Sequence, residues 1–325
     1  MTPFVRRLLL AVLLGVAVYG FFVFYTGVRD LGSSLERFRW SAFALALALA
    51  SSNYLVRFAK WQYYLRRLDV RGIRTIDSLL VFLSGFVLTI TPGKVGEVFK
   101  SAVLAKTHGV PAERTAPIVV AERLTDAIGV IVLIVIGSSA FAGGLRWALA
   151  GTLACAAGLL FVIWERPLRG AIAWAETRGG PLGRFAPRLR VALGSLRIVA
   201  GPGALLWPTT LSVIAWAAEG VALFVLLRGF SAPVPLGVAI FFYSTATLAG
   251  ALIPVPGGLG VAEGMIQEQL VRLGGVSQGD ATGAMILIRF ATLWWAVAVG
   301  FAALAILRSR FPERLASERQ ETPPA

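Results

Sequence analysis

The chain holds one cysteine and one histidine in 325 residues. Cys155 sits inside an apolar run, which excludes a disulfide within the chain and any cysteine metal cluster. His108, in a polar stretch, does not by itself make a histidine metal site or a histidine-activated nucleophile. There is no Asp-x-Asp metal pair either, so no catalytic residue, metal centre or cofactor is read from the sequence. Charge is scarce as well. Only 15% of residues are charged against 57% hydrophobic, and the mean hydropathy is +0.76, which excludes an ordinary soluble domain. What is present is a basic excess, 31 Lys and Arg against 17 Asp and Glu, for a net charge of +14. In a soluble protein that excess points to nucleic acid. In a chain built for lipid, the place of each basic residue relative to the apolar runs decides its meaning, and no nucleic-acid partner is expected.

A spanning helix needs about 20 apolar residues at 1.5 Å each to cross about 30 Å of hydrocarbon. Six runs qualify: residues 8–25, 41–64, 115–142, 147–164, 205–227 and 282–307. The first has arginines before it like a signal peptide but no clean cleavage site after it, so a retained helix is expected. Four shorter runs, 79–90, 95–105, 236–253 and 259–273, form two pairs, each broken at "TPGKVG" or "IPVPGGLGVAEG". Two half-length helices joined by such a break suit a re-entrant hairpin. The predicted fold class is an all-α polytopic membrane protein with six spanning helices plus two re-entrant helical hairpins. Residues 1–307 would form a single membrane domain, and 308–325 a disordered cytoplasmic tail.

Basic residues test that topology. With the N-terminus in the cytoplasm, twenty lie inside, Lys60 among them, and six outside, a bias that favours both termini in the cytoplasm. Five are left within the membrane: Arg57, Lys94, Lys100, Arg123 and Arg289. The order of elements also repeats. Pro92-Gly93 matches Pro256-Gly257 at an offset of 164 residues, Arg123 matches Arg289 at 166, and Arg57 matches Glu219 at 162. Three crossings per half is odd, so halves of about 8–142 and 147–307 would form an inverted repeat, with the hairpins approaching each other from opposite faces. Between them, 166–201 carries Leu189, Leu193, Leu196 and Val199 at helical spacing among arginines. That pattern reads either as an amphipathic cytoplasmic helix or as a plain positive-inside loop.

A charge near the middle of a span costs on the order of 2.5–3.5 kcal/mol, so each needs a partner or a use. Lys94, Glu97 and Lys100 step by three and would share one face of a regular helix. Arg123 and Asp126 are three apart, and Glu122 and Asp126 four. Arg57 and Arg289 have no acid near in sequence; Glu97, Glu219 and Glu263 are the candidate partners. The breaks themselves supply a second kind of anion site. Pro92 stops a helix, Gly93 allows a tight turn, and the restarting helix points unpaired N–H groups and a partial positive charge at mid-membrane beside Lys94. Gly257, Gly258 and Gly260 repeat this from the other side.

The stretches "NYLVRFAKWQYYL", "TPGKVGEVFKSAVLAK", "AERLTDAIGV", "PVPGGLGVAEGMIQEQL" and "IRFATLWWAVAVG" together resemble the lysylphosphatidylglycerol synthase transmembrane family, also called the flippase-like domain family. The likeness runs from about residue 8 to 307. It implies a bundle with two re-entrant hairpins, in the bacterial cytoplasmic (inner) membrane, that moves or handles phospholipid or polyprenyl-linked lipid. By motif match, Arg57, Pro92, Gly93, Gly96, Glu97, Glu122, Arg123, Asp126, Pro256, Gly257, Gly258, Gly260, Glu263 and Arg289 take the family's characteristic positions. The soluble aminoacyltransferase domain of fused members is not among these motifs. A standalone member is therefore expected, whose lipid is left open and includes hopanoids.

The function expected is a lipid translocase rather than an enzyme. The headgroup phosphate would be held by Arg57, Lys94, Arg123 and Arg289 and by the glycine corners. The acids Glu97, Glu122, Asp126, Glu219 and Glu263 would serve as coupling groups or as structural partners of the arginines. Partners are membrane lipids, anionic phospholipid or isoprenoid lipid, with a second copy of the chain left open. Two alternatives stand beside this: a secondary transporter of a small anion, and an accessory membrane subunit of a lipid-synthesis complex.

Overall fold

A computed structural model describes residues 3–91, 97–139, 149, 153, 181–253 and 255–316, and every regular element among the described residues is helical. Helix α1 (Pro3–Thr26) is apolar after Arg6 and Arg7 and ends at Gly27, whose φ of 92° turns the chain into α2 (Val28–Arg37). The two helices meet at 93° because α2 is polar, burying only Leu31 and Ser34, and packs sideways on a later helix. Helix α3 (Trp40–Arg67) follows. At 28 residues it is about 42 Å long, more than the hydrocarbon thickness.

The first break is assembled from α4 (Thr75–Ser84), a tight 3-10 turn (Gly85–Leu88) and α5 (Phe99–His108). Pro92, Gly93, Lys94 and Gly96 lie outside the described residues. The α-helix of the second half of this pair starts at Phe99, with Glu97 and Val98 in a 3-10 turn just before it. A short turn of helix, α6 (Ala112–Thr115), leads into α7 (Pro117–Ser138). After the described residues resume, α8 (Pro181–Ala200) carries Arg188, Arg190 and Arg197, each exposed. Ser195 and Val199, near its far end, pack inward. Helix α9 (Pro202–Gly229) lies along α3 and α7. The second break consists of α10 (Leu236–Leu252), a tight turn at Pro256–Gly258 and α11 (Val261–Arg272). The chain ends in α12 (Gln278–Arg289), a wide π turn (Phe290–Trp294), α13 (Trp295–Arg310) and the short α14 (Pro312–Ala316).

The expectation of six spans plus two re-entrant hairpins is corrected here. Among the described residues three helices are long and apolar enough to cross a membrane: Trp40–Arg67, Gly203–Gly229 and Gln278–Arg310. A fourth is gained if the bent pair Val12–Thr26 and Val28–Arg37 is one broken span. The reason for the shortfall is compositional. Helix α7 has 22 residues, enough to cross, but carries Glu122, Arg123 and Asp126 within two turns. The run predicted at 147–164 lies outside the described residues, apart from Leu149 and Leu153. Helices α4 and α10 are apolar but short.

Two apolar clusters hold the bundle. One joins α9, α10, α11 and α12 around Trp216, Phe241, Phe242 and Met285; the other joins α3, α4, α5, α7 and α13 around Trp61, Tyr64, Phe82 and Phe86. A small third cluster, Ile90, Leu259, Leu293 and Val297, sits where the ends of the two breaks meet. Gly257 shows how closely. Its φ is +63°, and a Cβ placed on it would lie 3.2 Å from Ile90 Cγ2 and 3.6 Å from Ile90 Cα. The glycine therefore serves both a left-handed turn and a backbone approach that a side chain would obstruct.

Candidate functional site

Where the breaks meet, the bundle leaves a cavity of about 250 Å3. Its wall takes Tyr54 and Arg57 from α3, Phe86 and Thr89 from the first break, Arg123 and Asp126 from α7, and Trp216 and Glu219 from α9. Tyr243 from α10, Gly257 and Gly258 from the second turn, and Arg289 from α12 complete it. The helices place these groups by simple spacing. Asn53, Arg57, Lys60 and Tyr64 step by four, three and four along one face of α3, and Glu122, Arg123 and Asp126 lie within two turns of α7.

Carboxylates and cations pair in and behind the wall. Glu97 Oε2 receives Arg57 Nη2 at 3.3 Å and Arg123 Nη2 at 3.1 Å, and Thr89 donates to its Oε1 at 3.3 Å. Asp126 Oδ2 lies 3.0 Å from Arg123 Nη2, while its Oδ1 accepts from Lys60 Nζ at 2.7 Å and from Ser212 Oγ at 2.9 Å. Lys100 Nζ meets Glu122 Oε2 at 2.5 Å behind the wall. On the opposite side Arg289 Nε meets Glu263 Oε1 at 2.6 Å, and its Nη2 donates to the Gly257 carbonyl at 2.7 Å. The other oxygen of Glu263 accepts from the Gly260 backbone N–H at 2.8 Å, so one carboxylate holds both the arginine and the start of α11. Tyr243 donates to Glu219 at 2.5 Å. Among the described residues, five cations, Arg57, Lys60, Lys100, Arg123 and Arg289, stand with five acids, Glu97, Glu122, Asp126, Glu219 and Glu263.

Despite this pairing, the cations keep capacity for a guest. Arg57 Nε, Arg123 Nε and the Tyr54 hydroxyl are buried without a hydrogen-bond partner among the described residues, and all three residues line the cavity. Arg57 and Tyr54 are themselves 6% and 5% exposed. Buried donors of this kind are normally satisfied by ordered water or a ligand.

Most of the residues singled out from the sequence come together here, with three differences. Gly93, Lys94 and Gly96 lie outside the described residues. Gly260 caps α11 and Glu97, Glu122 and Glu263 stand behind the wall as partners, so none of these four lines the cavity. The shared face expected for Lys94, Glu97 and Lys100 does not form between the two described members. Because α5 begins only at Phe99, Glu97 points to Arg57 and Arg123 while Lys100 turns to Glu122. Arg123 does pair with Asp126, as their spacing predicts.

The sequence also left some groups of the site unmarked. Lys60, counted with the cytoplasmic residues, is fully buried and tied to Asp126 and Ser212. The signal was its place three residues after Arg57, on the same helix face. Nothing in the sequence marks Tyr54, Trp216 or Tyr243, and only the packing of α9 and α10 against α3 and α7 shows that they edge a polar space.

Among known proteins, a UPF0104 membrane protein of Methanothermobacter thermautotrophicus is 23% identical over 328 residues, covering 94% of this chain and 96% of that one. The family described as the lysylphosphatidylglycerol synthase TM region matches residues 9–300, which include both breaks and every ion pair described above. The chain therefore belongs to the lysylphosphatidylglycerol synthase transmembrane-region family.

Proposed function

We propose that the protein passes the headgroup of a phosphate-bearing lipid, an anionic phospholipid or an isoprenoid lipid phosphate, across the bilayer through the cavity between the two breaks. One observation carries this reading. Three arginines from three helices face the same cavity, two of them with a buried N–H group unpartnered among the described residues. A guanidinium with spare N–H groups suits a phosphate. The cavity volume lies just under the usual range for small-molecule pockets, roughly 300–1,000 Å3, so it takes a headgroup and leaves the acyl chains in lipid.

In this reading the halves 8–142 and 147–307 form one membrane domain and an inverted repeat that rocks around the site. Support comes from the matched positions. Arg57 and Glu219, and Arg123 and Arg289, all line the same cavity. The basic bias supports termini in the cytoplasm of a bacterial inner membrane. The small volume also suits a free anion, which is the second reading.

Translocation of a fluorescent phosphatidylglycerol in proteoliposomes separates the two. Arg123→Gln is the informative variant, because it leaves Glu97 with Arg57 and Asp126 with Lys60 and Ser212, so no buried acid loses its last partner. Loss of charged hydrogen bonds worth about 1.5–3 kcal/mol should slow translocation roughly 10- to 150-fold with the fold intact. An unchanged rate would remove Arg123 from the mechanism. Uptake of inorganic phosphate without lipid movement would favour the small-anion transporter.

A further inference from the structure

Helix α1 lines no part of the cavity, yet it covers the wall where the second break meets the last two long helices. Leu293 faces the cavity and also belongs to the small cluster with Ile90, Leu259 and Val297, against which Leu14, Val18 and Tyr19 of α1 pack. One layer of side chains therefore stands between α1 and the space within. The inner face of α1 is Gly15, Tyr19, Phe22 and Thr26, spaced four, three and four, while Leu13, Val16, Phe21 and Phe24 are exposed on the other side.

The helix is held differently along its length. At its foot Thr26 Oγ1 lies 2.6 Å from Thr282 Oγ1, which also accepts from Gln267 Nε2 at 2.6 Å, and all three residues are buried. Gly27 follows at once with its φ of 92°, and the chain turns there by 93°. Farther along, one hydrogen bond holds α1: Trp294 Nε1 donates to the Tyr19 hydroxyl at 2.9 Å. The indole lies against Gly15, where a Cβ would come within 2.6 Å of it. The same hydroxyl interacts with the Arg289 guanidinium on the cavity wall. Trp294 closes the π turn that begins just after Arg289, and that turn sends Leu293 to the cavity and Trp294 to α1. Such turns occur mostly at functional sites.

We infer that α1 is a hinged gate, pivoting at Thr26 and Gly27 and latched by Tyr19 to Trp294 and Arg289, whose outward swing opens the cavity sideways to lipid. This rests on the headgroup reading above. With the acyl chains left in the bilayer, a headgroup enters and leaves by the side, and passage between leaflets needs a way in and a way out. One edge lies at the end of α10, where Ala251 lines the cavity and Ala251, Leu252 and Ile253 are exposed. The wall behind α1 is the other. Arg289 joins the gate to the site: a phosphate that competes for its guanidinium loosens the hold on Tyr19, so a bound headgroup favours the open arrangement.

Electron paramagnetic resonance measures the swing. Nitroxides at Val16→Cys and Leu55→Cys, both exposed positions, are placed in a Cys155→Ser background of the full-length chain in detergent. One distance is expected without lipid, and a second, displaced one when dihexanoyl phosphatidylglycerol is added. Tyr19→Phe keeps the ring beside Phe290 and Trp294 but loses the hydroxyl. Its open fraction without lipid should rise roughly 2- to 12-fold, the weight of one neutral hydrogen bond. A reversible lock supplies the functional arm: Gly15→Cys/Trp294→Cys, joined by a short bis-methanethiosulfonate linker. The linked protein should move fluorescent phosphatidylglycerol in proteoliposomes about tenfold more slowly or worse, and reductant should restore the rate. A single unshifted distance in Tyr19→Phe, or lipid crossing at the full rate through the linked protein, overturns the inference. If Tyr19→Phe shows the second distance while no lipid crosses in wild type, the headgroup reading fails and the gate stands. If lipid crosses in wild type and linked protein alike, the gate fails alone.

Discussion

Replacing Arg289 with alanine is expected to destabilise the protein by about 3–5 kcal/mol, the usual consequence of leaving one member of a buried ion pair alone. Glu263 is fully buried, and once the arginine is gone its only described contact is the Gly260 N–H. The Gly257 carbonyl loses its donor in the same change, so the turn of the second break and the start of α11 are both released. Thermal unfolding in detergent measures this. Arg289→Lys should recover only part of the loss, since a single ammonium replaces the Nε and Nη2 contacts poorly. Arg289→Met combined with Glu263→Met should recover most of it, because the charge left behind is removed as well. A stable Arg289→Ala protein that merely lost transport would show that Glu263 finds another partner. For that reason Arg123 serves as the transport probe and Arg289 as the probe of architecture.

Gly257→Val should act nearly as strongly through sterics. A β-branched residue at a φ of +63° is strained by about 1–2 kcal/mol. Its Cβ would also press on Ile90 Cγ2 at 3.2 Å and Leu293 Cδ2 at 3.4 Å, with Ile90 Cα only slightly farther, and overpacking of that kind costs about 1–3 kcal/mol. Gly257→Ala carries less strain and adds no γ carbons, so a graded loss from Gly to Ala to Val is expected in unfolding temperature. Translocation should fall in the same order, since the residue sits where the two breaks touch and its carbonyl orients Arg289. Equal behaviour of the alanine and valine variants would mean that Ile90 yields easily and that the breaks are not tightly apposed.

The sequence discloses helices better than partners. The apolar run at 236–253 forms α10 over Leu236–Leu252, and the run at 41–64 lies within α3, because hydrophobic length is a local property. Crossing number was less legible. Three acidic and basic residues in α7 remove it from the clearly apolar helices, although its 22 residues are long enough. Ion-pair partners depend on which helix faces which, and linear spacing carries that only within one regular helix. Arg123 with Asp126 obeys it. Glu97 does not, since it precedes α5 in a tighter turn, and Lys60 was misplaced because hydropathy puts it near a span's end while tertiary packing buries it against Asp126. That Glu97, Glu219 and Glu263 would be drawn to the two isolated arginines followed from the expense of an unpaired charge in lipid. Glu97 and Glu263 take those places; Glu219 lies with Tyr243 on the cavity wall.

Retention of lipid by the purified protein, weighed in native mass spectrometry after release from the micelle, tests the cavity most directly. A bound phosphate-bearing lipid in the wild type, lost or strongly reduced in Arg123→Gln while the variant unfolds at a normal temperature, is the predicted result. Wild type free of lipid, or lipid held equally by both proteins, would contradict a headgroup site between the two breaks.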